Sequence, residues 1–182
     1  ALDAESFGAE GITVHPRPDE RHIRYQDARD LKPILSTAFH IEGNPTEDFI
    51  RLVEEIKPAQ VTLVPDAPDA ITSNAGWDTI KHEEYLTNLI TRLKKVCRVS
   101  VFVDPEPEMI IGAKKCGADR VELYTESYAK DYPIDREKAI EPFVIAAKEA
   151  QRQGLGLNAG HDLSLENLEY FHKQIPNLLE VS

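Results

Sequence analysis

The chain has 182 residues, of which 41% are hydrophobic and 29% charged, and its formal net charge is −11 at pH 7. This composition predicts one globular domain, residues 1–182, with a substantial core. The acidic balance argues against a nucleic-acid partner, and no apolar run approaches the ~20 residues of a membrane span. Cys97 and Cys116 lie far apart, without a histidine at metal-ligand spacing. We therefore expect a reducing, cytoplasmic compartment and no metal site.

Apolar, β-branched runs alternate with amphipathic segments along the whole chain. Strands are predicted at residues 11–15, 39–42, 60–65, 99–104, 120–125, 155–158 and 178–181. Helices are predicted at residues 25–36, 46–57, 80–96, 106–116, 136–153 and 164–174, and residues 1–7 resemble the end of another helix. Thr46, Asp135 and Ser164 are candidate N-caps. The alternation indicates a parallel sheet, either doubly wound or closed into a barrel.

Side-chain alternation along the strands distinguishes these two architectures. Ile12 and Val14 share one face of their strand, whereas Thr13 and His15 share the other. A strand buried on both sides of an open sheet is more often apolar throughout. The pattern therefore favours a (β/α)8 TIM barrel, in which the active site lies at the carboxyl ends of the strands.

The number of predicted strands falls short of a closed barrel. Six strands and the start of a seventh are found, whereas a TIM barrel has eight. We therefore expect an internal fragment of a longer chain, an incomplete barrel that lacks the first strand and most of the last βα unit. Such a fragment is expected to be inactive alone.

Candidate functional side chains are most concentrated in residues 11–23, which read Gly-Ile-Thr-Val-His-Pro-Arg-Pro-Asp-Glu-Arg-His-Ile. A strand ends in His15, and a rigid loop with Arg17 and His22 follows. Histidine titrates near neutrality, and arginine binds phosphate or carboxylate. This loop therefore predicts an acid/base group beside an anion-binding group, although a lone histidine at a strand end is usually structural.

Two glutamates share the inward-facing parity of their strands. Glu42 and Glu122 would each cost several kcal/mol near a barrel axis unless they were paired. With His15 they form a plausible general acid/base set. The alternative is a buried ion pair with Arg17 or with an arginine on another strand.

Two loops offer further polar groups at strand ends. Residues 156–164 place small residues before His161, but the glycines do not have the spacing of a dinucleotide-binding fingerprint. Thr72 and Ser73 follow another strand and offer hydroxyls to a phosphorylated or polyol substrate. An ordinary turn is the alternative interpretation of this second loop.

Together these segments resemble the pyridoxine 5'-phosphate synthase family, through residues 11–23, 40–42, 62–65, 72–78, 101–104, 122–125 and 158–163. The resemblance implies a (β/α)8 barrel that condenses 3-amino-2-oxopropyl phosphate with 1-deoxy-D-xylulose 5-phosphate. The products are pyridoxine 5'-phosphate, phosphate and water, and no metal or organic cofactor takes part. The resemblance also implies a homo-oligomer, usually an octamer.

The resemblance further implies roles for individual residues. It implies that His15 and Glu42 are proton acceptors and that His161 is a proton donor. It also implies that Glu122 stabilises charged intermediates. The resemblance also implies that Arg17, His22 and Thr72 hold the deoxyxylulose phosphate. Asp162 occupies a position at which the family contacts the aminoketone phosphate through the backbone.

Two other functions remain open from the residues alone. Another TIM-barrel enzyme, a sugar-phosphate isomerase or epimerase, would use a carboxylate pair and would not need His161. A non-catalytic barrel that serves for binding or assembly would tolerate Glu42→Gln without loss of function.

Overall fold

The computed structural model describes residues 1–66 and 73–182. Within them, the strands form one parallel sheet in which each strand pairs with its neighbours in chain order. The strands are β1 (Gly11–Val14), β2 (Ala38–Gly43), β3 (Gln60–Leu63), β4 (Arg98–Val103), β5 (Arg120–Tyr124), β6 (Gly156–Gly160) and β7 (Leu178–Val181). All seven predicted strands are present, and β1 and β7 form the two edges of the described sheet.

Helices alternate with the strands, as predicted. They are α1 (Leu2–Ser6), α2 (Tyr25–Leu31), α3 (Glu47–Ile56), α4 (Glu83–Leu93), α5 (Pro107–Lys115), α6 (Glu126–Gln153) and α7 (Leu168–Gln174). In the described part of the chain, none of them has the length and apolarity that a membrane-crossing helix needs. The architecture is that of an incomplete (β/α)8 barrel, which confirms the predicted fold class.

The two faces of the sheet differ in polarity, as the side-chain alternation predicts. Residues of one parity, such as Ile41 and Leu63, are fully buried in the core between the sheet and the helices. Residues of the other parity face the interior and include the buried Thr62, Ser100 and Glu122. The interior of the curved sheet is therefore polar, whereas the layer under the helices is apolar.

Helix α6 is longer than predicted and contains a break. Asp135 has non-helical backbone angles (φ −155°, ψ 90°), and its Oδ1 accepts a hydrogen bond from the Lys138 amide at 3.1 Å. This geometry confirms Asp135 as the cap of the predicted helix at residues 136–153. The preceding segment, residues 126–134, was not predicted to be helical. It is held by Tyr128, which is fully buried and donates a hydrogen bond to the Asn167 carbonyl at 2.7 Å.

Two other predicted caps have different outcomes. Thr46 caps α3, because its Oγ1 accepts a hydrogen bond from the Phe49 amide at 3.3 Å. Ser164 was predicted to cap a helix that begins there, and this is wrong. Its Oγ accepts from the Glu166 amide in a turn, and α7 begins later, after Asn167. A serine cap supports a single turn as well as a helix, so the sequence signal was ambiguous.

Asp135→Ala is expected to lower the free energy of unfolding by about 1 kcal/mol, because the Lys138 amide would lose its acceptor. Urea unfolding followed by circular dichroism measures the change. Asp131→Ala is the control, because Asp131 is an exposed carboxylate in the same helix. Equal losses in the two variants would contradict the assignment of Asp135 as a cap.

Candidate active site

His15 and Glu42 lie together where β1 and β2 end. The strands pair in parallel with Val14 opposite Ile41. His15 follows Val14 and Glu42 follows Ile41, so these two residues are neighbours across the strands. His15 Nδ1 is 3.2 Å from Glu42 Oε1, and both side chains are mostly buried. The structure thus brings together two of the residues that the sequence singled out.

Asp66 joins His15 and Arg17 at the same end of the sheet. This residue follows β3, is only 5% exposed, and accepts a hydrogen bond through Oδ2 from Arg17 Nη1 at 2.9 Å. The same oxygen accepts from Ser73 Oγ at 3.1 Å and lies 3.6 Å from His15 Nε2. His15 is therefore flanked by two carboxylates, Glu42 and Asp66. Arg17 pairs with Asp66, a partner that the sequence analysis did not name.

Glu122 is the central residue of β5 and is buried to 5% exposure. Its Oε2 accepts a hydrogen bond from Thr62 Oγ1, and its Oε1 accepts one from Ser182 Oγ, both at 3.1 Å. On the neighbouring strand, a Cβ at Gly160 would lie 2.6 Å from Glu122 Oε1. The absence of a side chain at Gly160 therefore makes room for this carboxyl group.

Burial is the main cause of a raised Glu122 pKa, and the negative charge of Glu42 is the next. The hydrogen bonds from Ser182 and Thr62 act in the opposite direction, and the net effect raises the pKa of Glu122 from 4.5 to about 8. Glu122 therefore holds a proton at neutral pH and can donate a hydrogen bond, as a buried carboxylic acid does in other enzymes.

A polar network continues below Glu122 on the inner face of the sheet. Glu180 contacts Arg120 Nη1 at 2.7 Å, Asn158 Nδ2 at 3.1 Å and His40 Nδ1 at 3.6 Å. Burial, the largest cause, lowers the pKa of His40. This network borders a cavity of about 500 Å³ that Glu122 also lines. The catalytic candidates thus lie above a hydrogen-bonded polar interior.

His161 reaches the same site through Tyr124. The Tyr124 ring lies 4.9 Å from the His161 ring and at 90° to it, between the ends of β5 and β6. Tyr124 Oη donates a hydrogen bond to the Ser73 carbonyl at 3.0 Å. Because Ser73 also contacts Asp66, a continuous set of contacts links His161 to His15.

The remaining predicted site residues are placed differently. His22 is exposed in the loop between β1 and α2. Asp162 contacts His161 Nδ1 through its Oδ2 at 2.7 Å, and its side chain is 51% exposed. Thr72 lies outside the described residues, so its predicted role is untested.

Sequence reasoning missed Asp66, and it did not select Tyr124. Asp66 directly follows a predicted strand, so the rule that selected His15 would also have found it. Tyr124 faces the interior, as Glu122 does, and is the last residue of β5.

Over residues 1–66 and 73–182, no group of three or more His, Cys, Asp or Glu side chains could hold a metal ion. The groups that lie together at this end of the sheet are imidazole and carboxyl side chains, which can donate and accept protons.

Glu122→Gln is expected to stabilise the protein increasingly as pH rises. Folded Glu122 keeps its proton up to about pH 8, whereas the unfolded chain releases it near 4.5, so wild-type stability falls across this interval. The difference in free energy of unfolding should grow by a few kcal/mol, at ~1.4 kcal/mol per pKa unit. Urea unfolding at pH values across the interval measures it. The exposed Glu84→Gln is the control, and a pH-independent difference for Glu122→Gln would contradict the raised pKa.

Comparison with known proteins identifies close relatives. The chain is 65% identical to a pyridoxine 5'-phosphate synthase of Cytophaga hutchinsonii and 61% identical to one of Flavobacterium johnsoniae. In each case the match covers 100% of this chain and 77% of the relative.

Among solved structures, the chain is similar to phosphoribosylanthranilate isomerases. The protein from Thermotoga maritima has a TM-score of 0.65 at 14% identity, over 100% of this chain and 79% of that one. The protein from Thermus thermophilus has a TM-score of 0.64 at 18% identity, over 98% of this chain and 79% of that one. At such identities the likeness supports the TIM-barrel fold alone.

The sequence profile described as pyridoxal phosphate biosynthesis protein PdxJ matches residues 1–182. This match extends over the whole chain and agrees with the names of the biosynthetic enzymes at 60–65% identity. The predicted family resemblance is therefore confirmed. The chain belongs to the PdxJ family of pyridoxal phosphate biosynthesis enzymes.

Proposed function

We propose that the protein condenses 3-amino-2-oxopropyl phosphate with 1-deoxy-D-xylulose 5-phosphate to give pyridoxine 5'-phosphate, phosphate and water. The observation that carries this proposal is the family match over residues 1–182, with relatives named pyridoxine 5'-phosphate synthase. The arrangement of two histidines and two glutamates supports it, with His15, Glu42 and His161 at the carboxyl ends of strands and Glu122 deeper, in the middle of β5.

The reaction requires several proton transfers in one site. The amine of one substrate adds to the ketone of the other, and the resulting carbinolamine loses water to form an imine. Phosphate then leaves, the ring closes by an aldol-type step, and a second water is lost. Groups that exchange acid and base roles are needed for this sequence, and histidine and glutamate side chains suit it.

In this proposal, His15 and Glu42 are the proton acceptors. Their 3.2 Å separation allows one proton to be shared between the imidazole and the carboxylate. Asp66 lies on the other side of the ring, with Oδ2 3.6 Å from Nε2, so that the imidazole stands between two carboxyl groups.

His161 is the proposed proton donor, and Glu122 stabilises charge that develops on the substrates. A glutamic acid that keeps its proton at neutral pH donates a hydrogen bond to a developing oxyanion without adding a repelling charge. Val64, Phe102 and Tyr124 form an apolar cluster in which Tyr124 contacts the His161 ring and Phe102 lies opposite Glu122 on the neighbouring strand. Charge–dipole interactions are stronger in such surroundings.

Two groups of residues are proposed to bind the substrate phosphates. Arg17, His22 and Thr72 would hold the deoxyxylulose phosphate, and the backbone at Asp162 would contact the aminoketone phosphate. Arg17 donates a hydrogen bond to Asp66 through Nη1, and the planar guanidinium of arginine suits the binding of a phosphate. The homo-oligomer and the cytoplasmic location remain predictions.

The direct test incubates the complete natural protein with both substrates and detects pyridoxine 5'-phosphate by mass spectrometry. Product that depends on both substrates is the expected result. Omission of either substrate is the control. Absence of product from a folded protein that binds deoxyxylulose phosphate would overturn the proposal.

His161→Ala is expected to lower kcat by at least ~100-fold, as loss of a general acid typically does. Steady-state kinetics measure the change, and His172→Ala is the control because His172 is exposed on α7. A sugar-phosphate isomerase that needs only the carboxylates would keep its turnover in His161→Ala. Such a result would contradict the proposed role of His161.

A further inference from the structure

Two consecutive residues after β6 adopt left-handed backbone conformations. His161 has φ 91° and Asp162 has φ 57°, a region that glycine occupies most readily. Two successive residues with side chains in this region need support from their surroundings. The position of Asp162 would suit glycine, so the aspartate side chain calls for an explanation.

Buried groups hold this dipeptide at both ends. Thr125, which is fully buried, donates a hydrogen bond through Oγ1 to the Gly160 carbonyl at 2.6 Å, and it also contacts the His161 carbonyl. On the other side, Asn167 Nδ2 donates to the Asp162 carbonyl at 3.2 Å, and Asn167 is only 5% exposed. The unusual backbone is therefore fixed by tertiary contacts.

This backbone brings two adjacent side chains together. His161 Nδ1 lies 2.7 Å from Asp162 Oδ2. An ionised carboxylate can only accept a hydrogen bond, so the proton of this contact belongs to the imidazole nitrogen. The perpendicular Tyr124 ring, 4.9 Å away, restricts the imidazole on another side. Within the described residues, His161 Nε2 has no hydrogen-bonding partner.

We propose that Asp162 is a positioning residue that holds His161 as the Nδ1-protonated tautomer and leaves Nε2 as the nitrogen that transfers the proton. The inference rests on the proposed function, in which His161 is the proton donor. It assigns the Asp162 side chain a role separate from the backbone contact to the aminoketone phosphate.

In this arrangement each ring nitrogen of His161 has one task, with Nε2 transferring a proton and Nδ1 hydrogen-bonded to Asp162. The His161 imidazolium gives the Nε2 proton to the hydroxyl of the carbinolamine, and the C–O bond breaks with its electron pair on the departing water. The lone pair of the adjacent nitrogen forms the C=N bond, and the N–H proton passes to a proposed acceptor, His15 or Glu42. The neutral ring keeps its proton on Nδ1, which still donates its hydrogen bond to Asp162. Reprotonation at Nε2 restores the donor for the next step.

Asp162→Gly tests the proposal in the complete natural protein. Glycine keeps the backbone amide and fits the left-handed conformation, so the urea midpoint is expected to stay the same or rise. We expect kcat to fall 10- to 100-fold, while KM for the aminoketone phosphate changes less than threefold. A loss of kcat without loss of stability separates positioning from folding.

Lys57→Gly is the matched control. Lys57 also has a left-handed backbone, with φ 51°, and is exposed after α3, at the opposite end of the sheet from the site. Glycine there relieves the same backbone constraint, so stability should respond in the same direction while kcat stays at the wild-type value. A fall in kcat in both variants would assign the effect to backbone flexibility and overturn the proposal.

A spectroscopic readout tests the tautomer independently of activity. In protein labelled with 15N at histidine, the neutral His161 ring should carry its proton on Nδ1, with the signals assigned by their loss in His161→Ala. In Asp162→Gly the proton should move toward Nε2, and in Asp162→Asn it should stay on Nδ1, because the amide oxygen still accepts.

The outcomes distinguish this proposal from the proposed function. A wild-type ring protonated on Nε2, or a tautomer unchanged in Asp162→Gly, overturns the role of Asp162 even if the enzyme makes pyridoxine 5'-phosphate. The expected tautomers together with an active His161→Ala variant would instead overturn His161 as proton donor. The expected tautomers with a lowered kcat in Asp162→Gly support both.

Discussion

The two-residue alternation of side chains along β1 to β6, which pair without a register shift, is the constraint on which this structure depends. The pairing of β6 with β7 has a register shift between Leu157 and Asn158. Ile41 and Leu63 must pack under the helices, so their neighbours Glu42 and Thr62 must face the interior. A shift of one residue in any strand would exchange the apolar and polar faces. The apolar core therefore determines that the carboxylates point inward, although burial of a carboxylate is itself unfavourable.

Glu122 and Asp66 are buried in different surroundings, and hydrogen bonds offset part of the cost of burial, although Asp66 Oδ1 is buried without a hydrogen-bonding partner among the described residues. Glu122 accepts hydrogen bonds from Thr62 and Ser182 and keeps its proton, whereas Asp66 accepts from Arg17 and Ser73. One site thus contains a neutral acid and a paired anion, which differ in their neighbours rather than in chemical type. Such a division of protonation states is useful for chemistry that needs acids and bases together.

The same fold supports different chemistry in the solved structures that this chain resembles. The phosphoribosylanthranilate isomerases share the barrel at 13–18% identity, and that likeness concerns the backbone. Function depends on the side chains at the strand ends, where this chain carries His15, Glu42 and His161. The family match, which extends over the whole chain, includes these positions.

The strands, their inward and outward faces, and the position of His15 and Glu42 at one edge of the sheet could be predicted from local sequence patterns. These features depend on short-range alternation and on the fact that parallel strands end at one edge. The contacts of Asp66 with Arg17, 49 positions apart, and of Tyr124 with Ser73, 51 positions apart, depend instead on how the chain packs in three dimensions. The same packing also decided the helical segment at residues 126–134, because distant residues enclose its buried tyrosine. Local patterns record which face a side chain occupies, whereas sheet curvature and loop packing decide which partner it meets there.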